Sequence, residues 1–165
     1  MRPQTMRDDA ADRLWTLIKD IDVAMLTTDD QGLLRSRPMA TVKRDFEGEL
    51  WFFTRMGAHK PREIGAGERV SLSYAEPRRQ TYVSVSGRAR LVRDKDKAEE
   101  MWTPELRRWF PNGAEDEDIA LLCVSVDEAE YWDSMSSAMT LAYGLAKTVT
   151  TGRETELGES EKLSF

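Results

Sequence analysis

The sequence predicts a small antiparallel β-barrel with helices packed on its outside. Two turn sequences, Asp29–Gly32 and Asp45–Gly48, lie close together and separate β-prone runs, as expected for consecutive hairpins. The later run Gln80–Val92 alternates apolar and polar residues, which is typical of a long strand with one buried face. Several strands follow one another directly, which disfavours a doubly wound parallel sheet, and closure into a barrel would hide their edges.

The first third of the chain predicts one helix and three strands. Apolar residues recur at helical spacing from Leu14 to Ile21, which predicts a helix over Asp8–Asp20 that Asp8 or Asp9 caps. The strands that follow are predicted over Val23–Thr28, Leu33–Arg44 and Glu49–Thr54.

The rest of the chain predicts further helices, three more strands and a charged tail. We expect one domain over residues 1–150 and an acidic tail over residues 151–165 that is flexible or crosses to another chain. The predicted elements are helix His59–Ala66, strands Val70–Ala75 and Gln80–Val92, helices Asp94–Met101 and Pro104–Phe110, and a final strand built from Leu121–Val126 and Glu130–Trp132.

Charge and hydropathy exclude several classes of function. The 165 residues carry a formal net charge of −6, whereas a general nucleic-acid binder is usually basic, so we expect no nucleic-acid partner. No apolar stretch reaches the roughly 20 residues that a membrane span needs, and no signal core begins the chain, so we expect a cytoplasmic protein.

The chain contains too few cysteine and histidine residues for an intrachain disulfide or a structural zinc site. Cys123 is the one cysteine and His59 the one histidine, so no intrachain disulfide and no structural zinc site are expected. The carboxylates of Glu115–Asp118 are interpreted as a solvated loop and not as a metal site. Phosphate-binding and dinucleotide-binding glycine motifs and the Gly-x-Ser-x-Gly motif are absent from the sequence.

A strand that leads into a proline-started helix forms the clearest candidate for a ligand site. Pro61 suits the first turn of a helix, where free backbone N–H groups attract an anion, and Lys60 beside it adds a positive charge. The aromatic run Trp51–Phe53 just before it could form a wall for a planar ring. The combination predicts a phosphorylated aromatic cofactor, although an exposed lysine at a polar helix start would look the same.

The second predicted strand adds positive charge. Arg35 and Arg37 are two residues apart, so they share one face of the strand and could form a cationic shelf for phosphate. Pro38 removes a backbone donor, which indicates a sheet edge or a bulge. Two solvated arginines on an outward face are the alternative.

The aromatic residues of the third strand must divide between two faces. Trp51 and Phe53 share one face and Phe52 shares the other with Thr54, so one set must leave the barrel core or meet another subunit. Packing in a core is the default for each of them. Further aromatic side chains occur late in the chain, at Trp102, Trp109, Phe110, Tyr131 and Trp132.

In this order, the motifs resemble the pyridoxamine 5′-phosphate oxidase-like flavin-binding split-barrel superfamily, and within it the bacterial general stress proteins. The resemblance covers roughly residues 14–143. It implies a homodimer of six-stranded antiparallel split barrels with flanking helices, and FMN in a cleft at the dimer interface. The motifs that carry it are Val23–Thr28, Arg35–Met39, Leu50–Thr54 followed by His59–Lys60, and Val83–Ala89.

The resemblance also implies which residues touch the cofactor. Arg37, Pro38 and Met39 would line the flavin ring, and Trp51, Phe52, Phe53 and Thr54 would border the ring and the ribityl chain. His59 and Lys60 would hold the phosphate. Gln80 and Tyr82 would approach the flavin, and Trp132 would cover it from the partner subunit.

The resemblance leaves the reaction open. True pyridoxamine phosphate oxidases carry basic and histidine residues in a C-terminal segment, whereas this chain ends in the acidic stretch 154–165, so vitamin B6 oxidation is not implied. Related haem-using proteins of this superfamily need an axial ligand for the iron. The one histidine here, His59, is a poor candidate because the resemblance places it at the phosphate. The sequence is compatible with an FMN-dependent oxidoreductase of the general stress type and with a flavin-holding or flavin-sensing stress protein without turnover. It is also compatible with a reductase that uses deazaflavin F420, and with a dimeric scaffold whose cleft is empty or binds another phosphorylated ring such as pyridoxal phosphate.

Overall fold

The computed structural model describes residues 4–44, 46–58, 67–133 and 161–164. These residues form two helices and seven strands, joined in places by short 3₁₀ turns. The helices are α1 (Gln4–Ile18) and α2 (Lys95–Met101), and the strands are β1 (Val23–Asp30), β2 (Leu33–Ala40), β3 (Glu49–Arg55), β4 (Glu68–Glu76), β5 (Thr81–Val92), β6 (Ile119–Trp132) and β7 (Glu161–Ser164).

All strand pairs are antiparallel, in the order β2-β1-β4-β5-β6-β3, with β7 paired to β6. The β1–β2 hairpin turns on Gln31 and Gly32, which both have positive φ, and the Gly32 N–H donates to Asp29 Oδ1 at 2.6 Å. The prediction of a mainly β split barrel with flanking helices is therefore confirmed. The sheet has seven strands, one more than predicted, and it does not close fully.

The sheet is split between its two end strands, β2 and β3. One isolated bridge, Thr41 to Phe52, joins the end of β2 to β3, and the Val42 N–H donates to the Trp51 carbonyl at 2.9 Å. Elsewhere in the described part of the chain, β2 pairs along its length with β1 alone and β3 with β6 alone. The strands therefore meet at one point and leave two open edges.

Two hydrophobic cores hold the sheet. The main core fills the barrel and is covered by α1, whose Leu14, Leu17 and Ile18 are buried. The second core lies on the opposite side of β3, where α2 and the 3₁₀ turn Pro104–Arg108 cover Trp51 and Phe53. Apolar side chains thus flank β3 on both faces.

The structure differs from the predicted boundaries in several places. α1 begins at Gln4, so Asp8 and Asp9 lie within the helix and do not cap it. β2 ends at Ala40 and not at Arg44. The predicted helix His59–Ala66 lies outside the described residues, as does most of the predicted tail. Four residues of the predicted tail, 161–164, form β7, in a segment that was expected to be flexible or to cross to another chain.

Neither helix among the described residues combines the length and apolar character that crossing a bilayer requires.

Candidate functional site

The inner face of β2 carries the positive charge that the sequence predicted. Arg35 and Arg37 lie opposite Thr28 and Leu26 of β1, both of which point into the barrel and are buried. Directly opposed residues share a face of the sheet, so the arginine side chains leave β2 on the barrel side. The prediction that they share one face is confirmed, and this face lies beside the split.

The two arginines differ in their partners. The Arg35 Nε lies 3.0 Å from Asp30 Oδ2, so an ion pair offsets its charge. Arg37 Nη2 donates to the buried Thr28 Oγ1 at 3.3 Å, and the side chain is only partly exposed. Thr28 and Asp30 were not predicted as site residues, although their position opposite the arginines in a hairpin could have suggested them.

The β3 residues face the two cores and not an open wall. Phe52 is fully buried in the main core, whereas Trp51 and Phe53 are buried in the second core. Phe53 packs edge-on against Trp102 with ring centroids 5.5 Å apart. Thr54 is also buried, on the same side of β3 as Phe52. What β3 offers beside the split is therefore mainly its backbone.

Met39 on β2 is buried in the same way as the β3 side chains. It is 5 % exposed and belongs to the main core. If the pairing of Thr41 with Phe52 is continued along both strands, Met39 stands opposite Thr54 across the split. In the described part of the chain, no strand pairing joins β2 to β3 at these two residues.

The remaining predicted residues lie elsewhere in the same chain. Pro38, Tyr82 and Trp132 belong to the outer face of the sheet, opposite to the face that carries Arg37. Gln80 is exposed in the β4–β5 turn in a left-handed conformation, with φ 50° and ψ 39°. A single chain therefore does not unite all the predicted residues. His59 and Lys60 lie outside the described residues.

The end of β3 is held by the acidic loop that precedes β6. Arg55 Nη1 lies 3.5 Å from Asp116 Oδ2 and 3.6 Å from Asp118 Oδ2, and the Met56 N–H donates to the Asp118 carbonyl at 2.8 Å. Asn112 Nδ2 donates to Asp116 Oδ2 at 3.1 Å. The backbone N–H of Asp118, with Asn112 and Arg55, holds the pKa of Asp116 below its usual value. The loop was predicted as merely solvated, and this interpretation is incomplete.

Two buried hydroxyl groups mark the point where β2 meets β3. Thr41 Oγ1 and Tyr74 Oη face each other inside the barrel, and within the described part of the chain neither makes a hydrogen bond of normal geometry. Burial raises the pKa of the Tyr74 hydroxyl well above its ordinary value, so the phenol stays neutral. Alternation alone could have placed Tyr74 in the core, but not opposite Thr41.

Metal and thiol chemistry finds no support among residues 4–44, 46–58, 67–133 and 161–164. These residues contain no cluster of three or more metal-ligating side chains. Cys123 is buried between β3 and β5, and burial together with the nearby Glu49 raises its thiol pKa to about 12. The thiol is therefore protonated and unreactive at neutral pH.

The chain is similar to proteins of known sequence and structure. It is 27 % identical over 152 residues to protein bli-3 of Neurospora crassa, covering 86 % of this chain and 73 % of that protein. The crystal structure of the general stress FMN/FAD binding protein of Xanthomonas citri has a TM-score of 0.66 and 27 % identity, covering 76 % of this chain and 89 % of that one. A protein from Clostridium acetobutylicum related to general stress protein 26 has a TM-score of 0.66 at 14 % identity, covering 96 % of each chain, and supports the fold alone.

A family model described as "Pyridoxamine 5′-phosphate oxidase like" matches residues 9–156, which is most of the chain. The matched region includes α1 from residue 9 onwards, strands β1 to β6, both edges of the split and the Arg37 face. The seven-stranded antiparallel sheet and the general stress relatives agree with this match. The chain therefore belongs to the pyridoxamine 5′-phosphate oxidase-like family.

Proposed function

We propose that the protein binds FMN in the split between β2 and β3 and acts as a flavin-dependent oxidoreductase of the general stress type. The observation that carries this proposal is the pair of open strand edges beside the inner face that holds Arg37. A relative at 27 % identity is described as an FMN/FAD binding protein, which supports a flavin as the ligand.

The chemistry of the split fits a flavin. The isoalloxazine ring carries N–H and C=O groups along one edge, and the main chain of β2 and β3 beside the split offers groups of the same kind. The guanidinium of Arg37 adds a planar cation on the barrel side. In this proposal His59 and Lys60, four and five residues beyond the end of β3, hold the phosphate.

A site made by two copies of the chain would use the remaining residues. Tyr82 is 42 % exposed and Met25 is 39 % exposed, both on the outer face of the sheet, where large apolar side chains usually need a partner. Trp132 lies directly opposite Tyr82 on the neighbouring strand. We propose that this face packs against a second copy, so that Tyr82, Gln80 and Trp132 approach the cofactor of the neighbour.

Bound FMN would supply the hydride or electron transfer, and the chain would supply position and environment. Arg37 and Lys60 would hold the anionic cofactor in one orientation. The fixed backbone beside Met39 and Thr54 would bind the polar edge of the ring. The rigid β3 would exclude water from one side because its side chains are already packed in both cores.

The test is a titration of the purified protein with FMN, preceded by its absorption spectrum and mass spectrometry of any released ligand. Lys60→Ala removes a charged contact worth about 1.5–3 kcal/mol, so the Kd should rise by about 10- to 150-fold. Arg37→Ala should weaken binding in the same direction. Lys95→Ala is the matched control, because this exposed lysine begins α2, away from the split.

Unchanged affinity in Lys60→Ala would remove that residue from the site. A wild-type protein with no affinity for FMN would overturn the proposal, and a different released ring, such as F420 or pyridoxal phosphate, would redirect it.

A flavin-holding protein without turnover is the second candidate. It is favoured because the ionisable side chain buried where β2 meets β3, Tyr74, has its hydroxyl pKa raised by burial and so stays neutral. Steady-state assays with reduced nicotinamide cofactors and simple electron acceptors separate the two functions. Sustained turnover by the FMN-loaded protein supports the enzyme, and flavin binding without turnover supports the holder.

A further inference from the structure

The outer edge of β6 is shared between two strands. Its first half, Ile119–Ser125, pairs with β3, and its second half, Glu128–Tyr131, pairs with β7. Since β3 begins opposite Ser125, it leaves the second half of this edge uncovered. An uncovered edge strand is a template for another strand, so the chain needs a cover here.

β7 fits this edge through both of its faces. Leu163 lies opposite Ala129 and packs against the main core. On the outer face, Lys162 lies opposite Glu130, and its Nζ is 4.0 Å from Glu128 Oε1. A basic residue between two glutamates and an apolar residue turned inward set the register of the added strand.

β7 is a short strand at the edge of the sheet. Among the described residues it pairs over four residues with β6 alone, contacts α1, and forms an ion pair between Lys162 and Glu128 whose side chains are both exposed. Exposed ion pairs contribute little to stability, and short segments with few buried contacts open most readily. The cost of releasing β7 is therefore small compared with that of opening the rest of the sheet.

The link to β7 does not confine it to its own chain. Twenty-seven residues, 134–160, separate the last described residue after β6 from β7. They could span at most about 90 Å, whereas a 165-residue domain has a radius of gyration of about 15 Å. Another copy can supply the same strand with identical contacts, which is the usual basis of strand exchange.

The position of β7 favours a second copy as the source. Lys162, Glu130 and Ser84 form one row across the outer face, next to the row that contains Tyr82 and Trp132. If two copies pack through this face, as proposed above, β7 of each lies close to β6 of the other. We propose that the Glu128–Tyr131 edge of β6 is a strand-acceptor site for the C-terminal strand of a second copy, so that paired chains exchange β7. This inference rests on the two-copy arrangement of the proposed function, but not on flavin binding.

Mixing two variants that each carry one introduced cysteine tests the exchange directly. A tagged Glu130→Cys chain and an untagged Lys162→Cys chain can form the 130–162 disulfide only between copies. Opposed residues of an antiparallel pair have Cα atoms about 4.5–5.5 Å apart, within the range of a disulfide. Cys123 is buried, so it does not compete. After mixing and mild oxidation with diamide, we expect a mixed disulfide dimer on a non-reducing gel.

Two controls show whether cross-linking depends on docking of β7. Ser36→Cys is exposed on β2, far from this edge, and its mixture with Lys162→Cys gives the rate of random collision. The 130–162 mixture should cross-link at least about tenfold faster, because docking raises the effective concentration of the two thiols. Adding Leu163→Asp to the Lys162→Cys chain should return the rate to the collision level.

Cross-linking no faster than the Ser36→Cys control, with unchanged melting temperatures of the single variants, overturns the exchange. The exchange is also overturned if the double variant Glu130→Cys/Lys162→Cys forms its 130–162 disulfide only within one chain. Light scattering of the unmodified protein distinguishes the two failures: a dimer without cross-linking removes only the exchange, and a monomer removes the two-copy site as well.

Discussion

At the scale of single residues, Gly87 occupies a place that only glycine fits. The pairing of β5 with β6 shifts register between Ser86 and Gly87, where Asp127 is the extra residue on β6. A Cβ on residue 87 would overlap the backbone carbonyl oxygen of Ser125, which the β3 and β5 ladders hold in place. The close approach of β5 to β6 therefore depends on the missing side chain.

Gly87→Ala should lower the free energy of unfolding by about 1–3 kcal/mol, since the strand must shift to relieve the overlap. Urea denaturation measures the loss. Ser86→Ala is the neighbouring control on the exposed face, and its effect should stay within about 0.5 kcal/mol. Equal stability of Gly87→Ala and wild type would show that β6 gives way easily at the bulge.

At the scale of elements, the loop before β6 fixes the end of β3. Asp116 binds the backbone of its own turn and the side chains of Asn112 and Arg55. Arg55 also lies over the Phe110 ring, with its Cζ 5.5 Å from the ring centroid. Carboxylate, guanidinium and ring together anchor β3 just before the chain enters residues 59–66. This anchoring matters for function, because the proposed phosphate ligands follow directly.

The pKa of Asp116 is lowered in the folded protein, so its carboxylate stabilises the fold at pH values above its ordinary pKa of about 4. The contribution disappears as the pH falls through the lowered folded-state value. Asp116→Asn should therefore reduce the melting temperature at pH 7 and have a smaller effect at about pH 3. Thermal melts at both pH values measure this, with Glu115→Gln as the exposed neighbour. An effect of the same size at both pH values would mean that charge plays no part.

At the scale of the whole molecule, the outer face of the sheet decides whether the site needs two copies. The face carries Met25 and Tyr82 among small polar side chains, including Ser73 and Ser84. The short side chains at these positions allow close approach of another copy. The acidic net charge of −6 opposes association, so contacts within the face must outweigh it.

If two copies pack through this face as proposed, Met25→Lys should raise the dissociation constant of the dimer at least about tenfold, because a charge would be buried without a partner. FMN affinity should fall in parallel if residues from the neighbour complete the site. Sedimentation or light scattering gives the first quantity and FMN titration the second. Trp109→Lys is the control, as Trp109 is 48 % exposed near the second core. A dimer that survives Met25→Lys would place the interface elsewhere.

The sequence predicted the individual strands and hairpins of this molecule well, but it did not predict the pairings between segments that are distant in the chain. Alternation in residues 80–92 and the Asp29–Gly32 turn determine strands and a hairpin through nearest neighbours, and both were predicted. The face shared by Arg35 and Arg37 follows from the same periodicity. The single bridge from Thr41 to Phe52 depends on packing between distant segments, so no local pattern indicates it. Residues 161–164 lack an apolar alternation, and β7 forms because β6 leaves an edge to cover.

The burial of β3 on both faces makes the two walls of the split unequal in stiffness. One wall cannot shift without disturbing both hydrophobic cores, whereas the other belongs to a hairpin with an exposed tip at Leu33 and Leu34. Motions that admit or release a ligand should therefore come from the β1–β2 hairpin moving relative to β3, which stays fixed. The rate of ligand exchange would then be set by the mobility of the β1–β2 hairpin and not by that of β3.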